Sequence, residues 1–197
     1  MNYLAHFHLA GNNPGLVVGA LLGDYVKGPL DQQYSPQVLN GIVLHRRIDR
    51  FSDTHPVQQT VNAVLPAKFR RYNGIIFDML CDYFLSNNWQ QYDNRELEDY
   101  TASIHQILNI YNSMLPPKAK AFNSRMQKYN LLCAYREKIT VEKTLISIGN
   151  RLSKANPLTE LNNEFWTHCS QLEESFHVFY QQLLSYSAEQ KYLFTDC

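Results

Sequence analysis

Residues 75–85 read IIFDMLCDYFL, an apolar run broken only by Asp78 and Asp82. In a helix, residues four positions apart lie on one face, so this run predicts a buried helix with two carboxylates on one side. Outward from the run, apolar residues recur at spacings of three and four, and alternating runs of β-branched residues are few. The pattern predicts an all-α fold, a helical bundle of about six to eight helices without a sheet.

Two helix starts in the first half of the chain are marked by capping signals. The pair Ser35-Pro36 offers an N-cap followed by proline at the first helical position, which predicts a helix running to about Asp53. Asp93 followed by Glu96 has the spacing of a capping box, which predicts a second helix running to about Met114.

The domain organisation follows from length and composition. The chain has 197 residues, shows no internal repeat and contains no low-complexity linker, so we expect one helical domain over residues 1–197. A core of this size needs neither metal nor disulfides for stability. Thr159 predicts the cap of one long C-terminal helix. The apolar stripe of that helix is Leu161, Phe165, Leu172, Phe176, Phe179 and Leu183.

Charge and cysteine content narrow the functional classes. The 18 basic residues equal the 18 acidic ones, so no overall field directs the chain to nucleic acid or to an anionic membrane. Cys81, Cys133, Cys169 and Cys197 form no C-x-x-C pair, which argues against a zinc knuckle and a disulfide framework. No apolar stretch approaches the length that spans a bilayer, and no signal-peptide pattern is present. We expect a soluble, cytoplasmic protein.

The aspartate pair in the apolar run requires neutralisation. The carboxylates of Asp78 and Asp82 would repel each other and would both be desolvated, so ionisation of both without a cation is unfavourable. Arginines of the preceding helix, a proton or a divalent metal ion could each resolve this. His45 favours the metal, because an imidazole nitrogen is a usual ligand in catalytic divalent sites.

His45 and Asp49 are four positions apart and share one face of the helix that begins after Ser35. They could form a plain His–Asp pair. Alternatively, Asp49 could ligate a metal, orient His45 through its other ring nitrogen, or accept a proton during catalysis. The sequence leaves these roles open.

Further candidate ligands lie near the start of the chain. His6 and His8 are two positions apart, so at most one of them readily faces a shared site in a helix. Asp24 follows an apolar segment at a point where the chain turns, and it is a candidate for a catalytic or a ligating carboxylate. The resulting mixed nitrogen and oxygen set suits manganese, magnesium, iron or zinc. The candidate metal ligands are His6, Asp24, His45, Asp78 and Asp82.

Motifs for competing chemistries are absent from the sequence. It contains no G-x-S-x-G, P-loop, G-x-G-x-x-G or H-E-x-x-H pattern. Serine hydrolase, nucleoside triphosphatase, dinucleotide enzyme and zincin therefore have no support from motifs.

Four blocks of sequence carry a family resemblance. They are MNYLAHFHLA at 1–10, GALLGDYVKG at 19–28, GIVLHRRID at 41–49 and DMLCDYFLSNNW at 78–89. In this order they resemble the acyl-carrier-protein phosphodiesterase family, a distorted branch of the HD-type phosphohydrolases. The chain has no contiguous His-Asp dipeptide, so the usual HD ligand pattern cannot be transferred directly onto it.

The resemblance implies a helical HD-like fold and a divalent metal held by histidines and aspartates. Mn²⁺ is the favoured ion, with Mg²⁺, Fe²⁺ or Zn²⁺ as alternatives. The implied reaction is hydrolysis of the phosphodiester that joins 4′-phosphopantetheine to a serine of holo-acyl carrier protein. The products are apo-carrier protein and phosphopantetheine.

Basic residues could serve this substrate in two ways. Arg46 and Arg47 follow His45, and one of them could donate to the phosphodiester oxygens; the alternative is a solvated basic helix face. Lys68, Arg70 and Arg71 concentrate positive charge in an otherwise neutral chain. Carrier proteins of fatty acid synthesis are typically acidic, so we predict that this group binds substrate through charge complementarity.

Two other functions remain open from the sequence. One is an HD-like phosphohydrolase that acts on a nucleotide or another small phosphodiester. The other is a non-catalytic helical module that binds the carrier protein and keeps its polar pairs as structural salt bridges.

Overall fold

Eleven α-helices and no strand are found in the residues that the structure, a computed structural model, describes: 1–30, 33–161 and 163–194. The all-α prediction is confirmed. The helices are α1 Tyr3–Ala10, α2 Pro14–Leu22, α3 Pro36–Thr54, α4 Val57–Val64, α5 Asn73–Asn87, α6 Leu97–Ile110, α7 Pro117–Lys128, α8 Leu131–Ala134, α9 Lys138–Gly149, α10 Asn163–Ser170 and α11 Glu173–Tyr192. Short 3₁₀ segments lie at Ala67–Tyr72, Trp89–Gln91, Asn112–Met114 and Pro157–Thr159.

The two N-terminal capping signals have different outcomes. Helix α3 begins at Pro36 with an extended Ser35 before it, as predicted, and ends at Thr54. The prediction of a capping box at Asp93 and Glu96 is wrong, because α6 begins only at Leu97. The Asp93 carboxylate instead accepts hydrogen bonds from the backbone amide and the guanidinium of Arg95, at 2.9 and 2.6 Å. This local turn uses the carboxylate that a capping box would need.

The prediction of one long C-terminal helix is also wrong. Thr159 ends a 3₁₀ segment, and two helices, α10 and α11, follow it. Between them, the amides of Gln171 and Leu172 bond to carbonyls only three residues back, which tightens and ends the first helix. The predicted apolar stripe is nevertheless buried, apart from the partly buried Leu161. Such breaks explain why more helices form than expected.

The core is centred on α5 and α11. The rings of Phe77 and Phe84 on α5 contact Phe179 and Phe176 on α11, with centroid distances of 5.4 and 5.5 Å. Three cysteine thiols, at Cys81, Cys133 and Cys169, are free and buried; Cys197 lies outside the described residues. Within the described ranges, no helix has both the length and the apolar character needed to cross a bilayer.

Helices α2 and α3 pack with their backbones in contact. A Cβ added to Gly19 would lie 2.4 Å from the Val38 carbonyl oxygen, and one added to Gly41 would lie 2.6 Å from the Leu16 oxygen. Only glycine permits so close an approach at these two positions. The contact holds the N-terminal half of α3 against α2, so that His45 comes next to the turn that follows α2.

Helix α1 is fixed at its C-terminal end by α11. The carbonyl oxygen of Leu9 accepts hydrogen bonds from the Ser187 hydroxyl at 2.9 Å and from the Lys191 ammonium at 2.8 Å. These donors satisfy a carbonyl that has no partner within its own helix. The position of α1, which carries His6, therefore depends on the last helix.

Candidate metal centre

Three side chains from α1 and α3 form one compact cluster: His6, His45 and Asp49. One ligand atom from each of them lies within 4.8 Å of the others. The Nε2 atoms of His6 and His45 lie 3.0 and 3.1 Å from the two carboxylate oxygens of Asp49. Both imidazoles are buried, whereas Asp49 is 37% exposed. The cluster is therefore open to solvent on the carboxylate side.

The two imidazole rings stack on each other. Their centroids are 3.8 Å apart and their planes differ by 9°. His45 Nδ1 lies 2.8 Å from the Ala20 carbonyl oxygen, which can only accept, so the hydrogen bond assigns the proton to Nδ1. Nε2 then faces carboxylate oxygens of Asp49 and Asp24, at 3.1 and 3.8 Å. These atoms converge on a position that a cation or a proton could occupy.

The protonation state of His6 suits metal binding. Burial, reinforced by the nearby His45, lowers the pKa of His6 to about 3, although Asp49 acts in the opposite direction. The ring is therefore neutral at physiological pH and can ligate without releasing a proton. Its Nδ1 atom is buried and has no hydrogen-bond partner among the described residues.

The amino group of Met1 places a positive charge between two carboxylates. It lies 3.1 Å from Asp49 Oδ1 and 3.1 Å from Asp78 Oδ1. Burial alone would lower the pKa of this amine, but Asp78 and Asp49 raise it to about 11. Asp78 is thus brought to the edge of the cluster, where the Met1 ammonium supplies positive charge to both carboxylates.

Asp82, predicted as a ligand, lies in a different environment. Its buried carboxylate accepts hydrogen bonds from the Asn2 side chain at 2.8 Å and from the Leu4 and Ala5 backbone amides at 2.9 Å each. Burial raises its pKa to about 7, against the effect of the two amide hydrogen bonds. Asp82 thus satisfies the free amides at the start of α1 and is not part of the cluster.

His8 points away from the cluster, as expected for a residue two positions from His6. Its Nδ1 lies 2.8 Å from the Tyr180 hydroxyl, and its ring packs against Trp89 and Tyr100. Burial lowers the pKa of His8 to about 4. His8 therefore belongs to an aromatic layer of the core.

The turn after α2 brings Asp24 to the cluster. Gly23 makes this possible, because a Cβ added there would lie 2.2 Å from Cγ of His45. The His45 ring therefore packs directly on the backbone of the turn. Asp24 is about half exposed, at 48%, and its Oδ1 faces His45 Nε2 at 3.8 Å.

The arginines after His45 already have protein partners. Arg46 donates to the carbonyl oxygens of Val26 and Gly28, at 2.8 and 3.0 Å, and so holds the segment that follows Asp24. Arg47 donates to Oε1 of Gln190 on α11 at 2.8 Å. Contact of either guanidinium with a phosphodiester would require a change of partners.

The predicted basic group lies on the 3₁₀ segment Ala67–Tyr72. Lys68 is 3.9 Å from Glu160, and Arg70 donates to the Asn62 carbonyl oxygen at 3.2 Å. Arg71 is exposed. None of the three belongs to the cluster of potential ligands.

A cleft that the sequence did not reveal adjoins the cluster. It encloses about 830 Å³ between α1, α7 and α9. Tyr3 and Tyr25 line it, and their hydroxyl oxygens lie 3.4 Å apart. Both tyrosines lie in the blocks 1–10 and 19–28 of the family resemblance. From sequence, however, an aromatic residue at helical spacing would be assigned to the core. Only the fold shows that these two reach a cavity.

Comparisons with known proteins agree with one another. The family model described as acyl carrier protein phosphodiesterase matches residues 1–183. A Yersinia enterocolitica protein named acyl carrier protein phosphodiesterase is 30% identical over 192 residues, which cover 97% of this chain and all of the relative. A Serratia proteamaculans protein of the same name is 29% identical over the same share of each chain. No solved structure matches at a significant level.

Proposed function

The chain belongs to the acyl carrier protein phosphodiesterase family, and we propose on this premise that it removes 4′-phosphopantetheine from holo-acyl carrier protein. The water oxygen bonds to phosphorus, the bond between phosphorus and the serine oxygen breaks, and the serine oxygen takes the proton. The products are apo-carrier protein and 4′-phosphopantetheine. The observation that carries the proposal is the cluster of His6, His45 and Asp49. Two buried imidazoles around one partly exposed carboxylate suit a hydrolytic metal centre better than a plain salt bridge.

The donor set fits a divalent metal. Nε2 of His6, Nε2 of His45 and the Asp49 carboxylate would hold the ion, with Asp24 and Asp78 beside them. Mixed imidazole and carboxylate ligands suit Mn²⁺, and also Mg²⁺, Fe²⁺ or Zn²⁺. Such an ion polarises a phosphoryl oxygen and lowers the pKa of a water molecule.

Residues around the ligands have distinct proposed roles. The Ala20 carbonyl accepts from Nδ1 of His45 and so orients the ring with Nε2 directed at Asp49. Asp24 is proposed as the proton acceptor, because its carboxylate is half exposed and adjoins His45. Asp82 is proposed as a positioning residue rather than a ligand, since its oxygens hold the first turn of α1.

The arginines are proposed to act on the substrate side in different ways. Arg46 holds the carbonyls of Val26 and Gly28 and so positions the segment after Asp24. Arg47 remains a candidate donor to the phosphodiester only if it leaves Gln190. Lys68, Arg70 and Arg71 remain a proposed contact for the acidic carrier protein.

The decisive experiment is incubation of purified protein with holo-acyl carrier protein and Mn²⁺, followed by intact mass measurement. Loss of the phosphopantetheine mass from the carrier, with free phosphopantetheine in solution, is the expected result. Holo-carrier protein that stays intact, beside hydrolysis of a nucleotide or a small phosphodiester, would favour the HD-like alternative. Binding of the carrier protein without any hydrolysis would favour the non-catalytic module.

A further inference from the structure

The cleft beside the centre carries an uneven distribution of charge. Four of its lining side chains are basic, and none is acidic: Lys118 and Arg125 on α7, Lys143 on α9, and Arg151 just after α9. All four are exposed. The whole chain balances 18 basic against 18 acidic residues. The lining of this cleft therefore concentrates positive charge, although the protein as a whole has no net charge.

These four cations lack ionic partners within the described part of the chain. Elsewhere, Lys68 lies 3.9 Å from Glu160 and Arg136 lies 2.9 Å from Glu98. By contrast, Arg125 lies only over the ring of Phe122, and Arg151 donates to the Ser147 carbonyl. Neighbouring like charges without counterions repel one another, so this surface gains most from an anionic partner.

The cleft lies next to the candidate centre, with Tyr3 between them. Tyr3 lines the cleft and precedes His6 by three positions, which is about one helical turn. Burial raises the pKa of the Tyr3 phenol, and the adjacent Asp24 raises it further. Burial also raises the pKa of Tyr25, while the positive charges of Arg125 and Arg151, which line the same cleft, oppose that rise. Tyr3 and Tyr25, which line the cleft with the four cations, are therefore the residues that bring it next to Asp24.

We propose that this cleft binds the anionic surface of the carrier protein that flanks its modified serine. The proposal rests on the function proposed above. The phosphodiester of the phosphopantetheine arm has a single negative charge, whereas four exposed cations line the cleft. The positive charge of the cleft therefore matches an acidic protein surface better than the arm alone. A partner seated there presents the serine beside Tyr3 and Tyr25, at the entrance to the cluster.

The test compares two basic surfaces of the same protein. One variant carries Arg125→Ala and Arg151→Ala, and a second carries Lys118→Ala and Lys143→Ala. A third carries Arg70→Ala and Arg71→Ala in the other proposed contact, and the matched control carries Lys138→Ala and Lys154→Ala, two exposed cations outside the cleft. For each we would measure kcat and KM with holo-carrier protein, and the Kd for apo-carrier protein, at low and high salt. Circular dichroism verifies folding, which exposed alanine substitutions should not disturb.

We expect each cleft variant to raise KM and the apo-carrier Kd by about fivefold to tenfold at low salt, with kcat little changed. The difference from wild type should shrink at high salt, because salt screens these charges. The control should keep wild-type KM and Kd. Because apo-carrier protein has no phosphopantetheine arm, its Kd reports on protein docking alone.

Three results would overturn the docking proposal. Wild-type values of KM and Kd in both cleft variants would remove it. A raised KM with an unchanged apo-carrier Kd would assign the cleft to the arm. A larger effect in the Arg70 and Arg71 variant than in either cleft variant would move the docking surface to that segment. Absence of hydrolysis by the wild-type protein, with tight and salt-sensitive binding to the cleft, would instead refute the proposed function alone.

Discussion

The imidazole of His6 lies face to face with the imidazole of His45, at 3.8 Å between centroids and 9° from parallel. Two imidazolium rings could not stack so closely in a buried site without strong repulsion. The geometry thus requires that at least one ring be neutral, and the lowered pKa of His6 identifies it. Both Nε2 atoms are directed to the same carboxylate, that of Asp49.

Loss of a cluster residue should remove the metal. We expect His6→Gln and Asp49→Asn to lower bound Mn²⁺ and kcat by at least about a hundredfold, because each removes a proposed ligand. His55→Gln is the control, since His55 bonds to Gln182 outside the cluster. Metal content of protein dialysed against Mn²⁺ and kcat are the measurements. Full metal content in His6→Gln would exclude His6 as a ligand.

Removal of the metal should leave the fold intact. The core is apolar and extensive, so chelation is expected to abolish activity without changing the helical circular-dichroism spectrum. The melting temperature should fall, because an ion that binds only the native state stabilises it. Mn²⁺ added back should restore both quantities. Activity that survives exhaustive chelation would contradict the metal mechanism.

Asp78 and Asp82 should behave differently when replaced by alanine. If both were metal ligands, as the sequence predicts, either replacement would abolish turnover and leave the fold intact. The structure changes this expectation for Asp82, because its replacement leaves the Leu4 and Ala5 amides without an acceptor. We expect Asp82→Ala to lower the free energy of unfolding by about 2 kcal/mol or more. Asp78→Ala should mainly reduce activity. Urea unfolding of both variants would show equal stabilities if this assignment were wrong.

Gly23→Ala should displace His45. The added methyl group would lie 2.2 Å from the imidazole Cγ, so the ring or the turn must move. Overpacking of this kind costs about 1–3 kcal/mol, and we expect the metal content to fall as well. Gly74→Ala is the control, because nothing lies within 4 Å of its new Cβ, and it should be neutral or slightly stabilising. Urea unfolding and metal analysis of both variants test the difference.

His8 should contribute to acid sensitivity. Its folded-state pKa of about 4 is below the usual 6.5, so between these values the unfolded chain binds the proton more readily. The stabilisation from neutral His8 is therefore complete above about pH 6.5 and is lost as the pH falls towards 4. In His8→Asn, the decrease in unfolding free energy between pH 7 and pH 4.5 should be smaller than in wild type. An identical decrease would show that His8 is not buried as a neutral ring.

Local patterns in the sequence were the most informative. The start of α3 and the pairing of His45 with Asp49 follow from a cap and from a spacing of four, both of which act within one helix. The role of Asp82 was not predictable in this way. Its partners are backbone amides 77 and 78 positions away. Nearly every residue has such an amide, so the residue types do not indicate which ones a carboxylate will bind.

The same limit applies to the arginines and glycines. The sequence makes Arg46 a candidate donor to phosphate, but its hydrogen bonds to the carbonyls of Val26 and Gly28 become apparent only in the fold. Gly19 and Gly41 looked like ordinary helix residues, because the need for glycine arises only where two backbones meet. Contacts between distant elements therefore decide which candidate residues form the site.

The bond of Ser187 and Lys191 to the Leu9 carbonyl has a consequence for synthesis of the protein. His6, His45 and Asp49 all leave the ribosome early. The helix that carries His6, however, is held by Ser187 and Lys191, which lie 178 and 182 positions after Leu9. A nascent chain that still lacks α11 holds the ligands without the fixed α1 that would align them. The centre should therefore mature only after the last helix has emerged from the exit tunnel, which delays metal capture until translation is nearly complete.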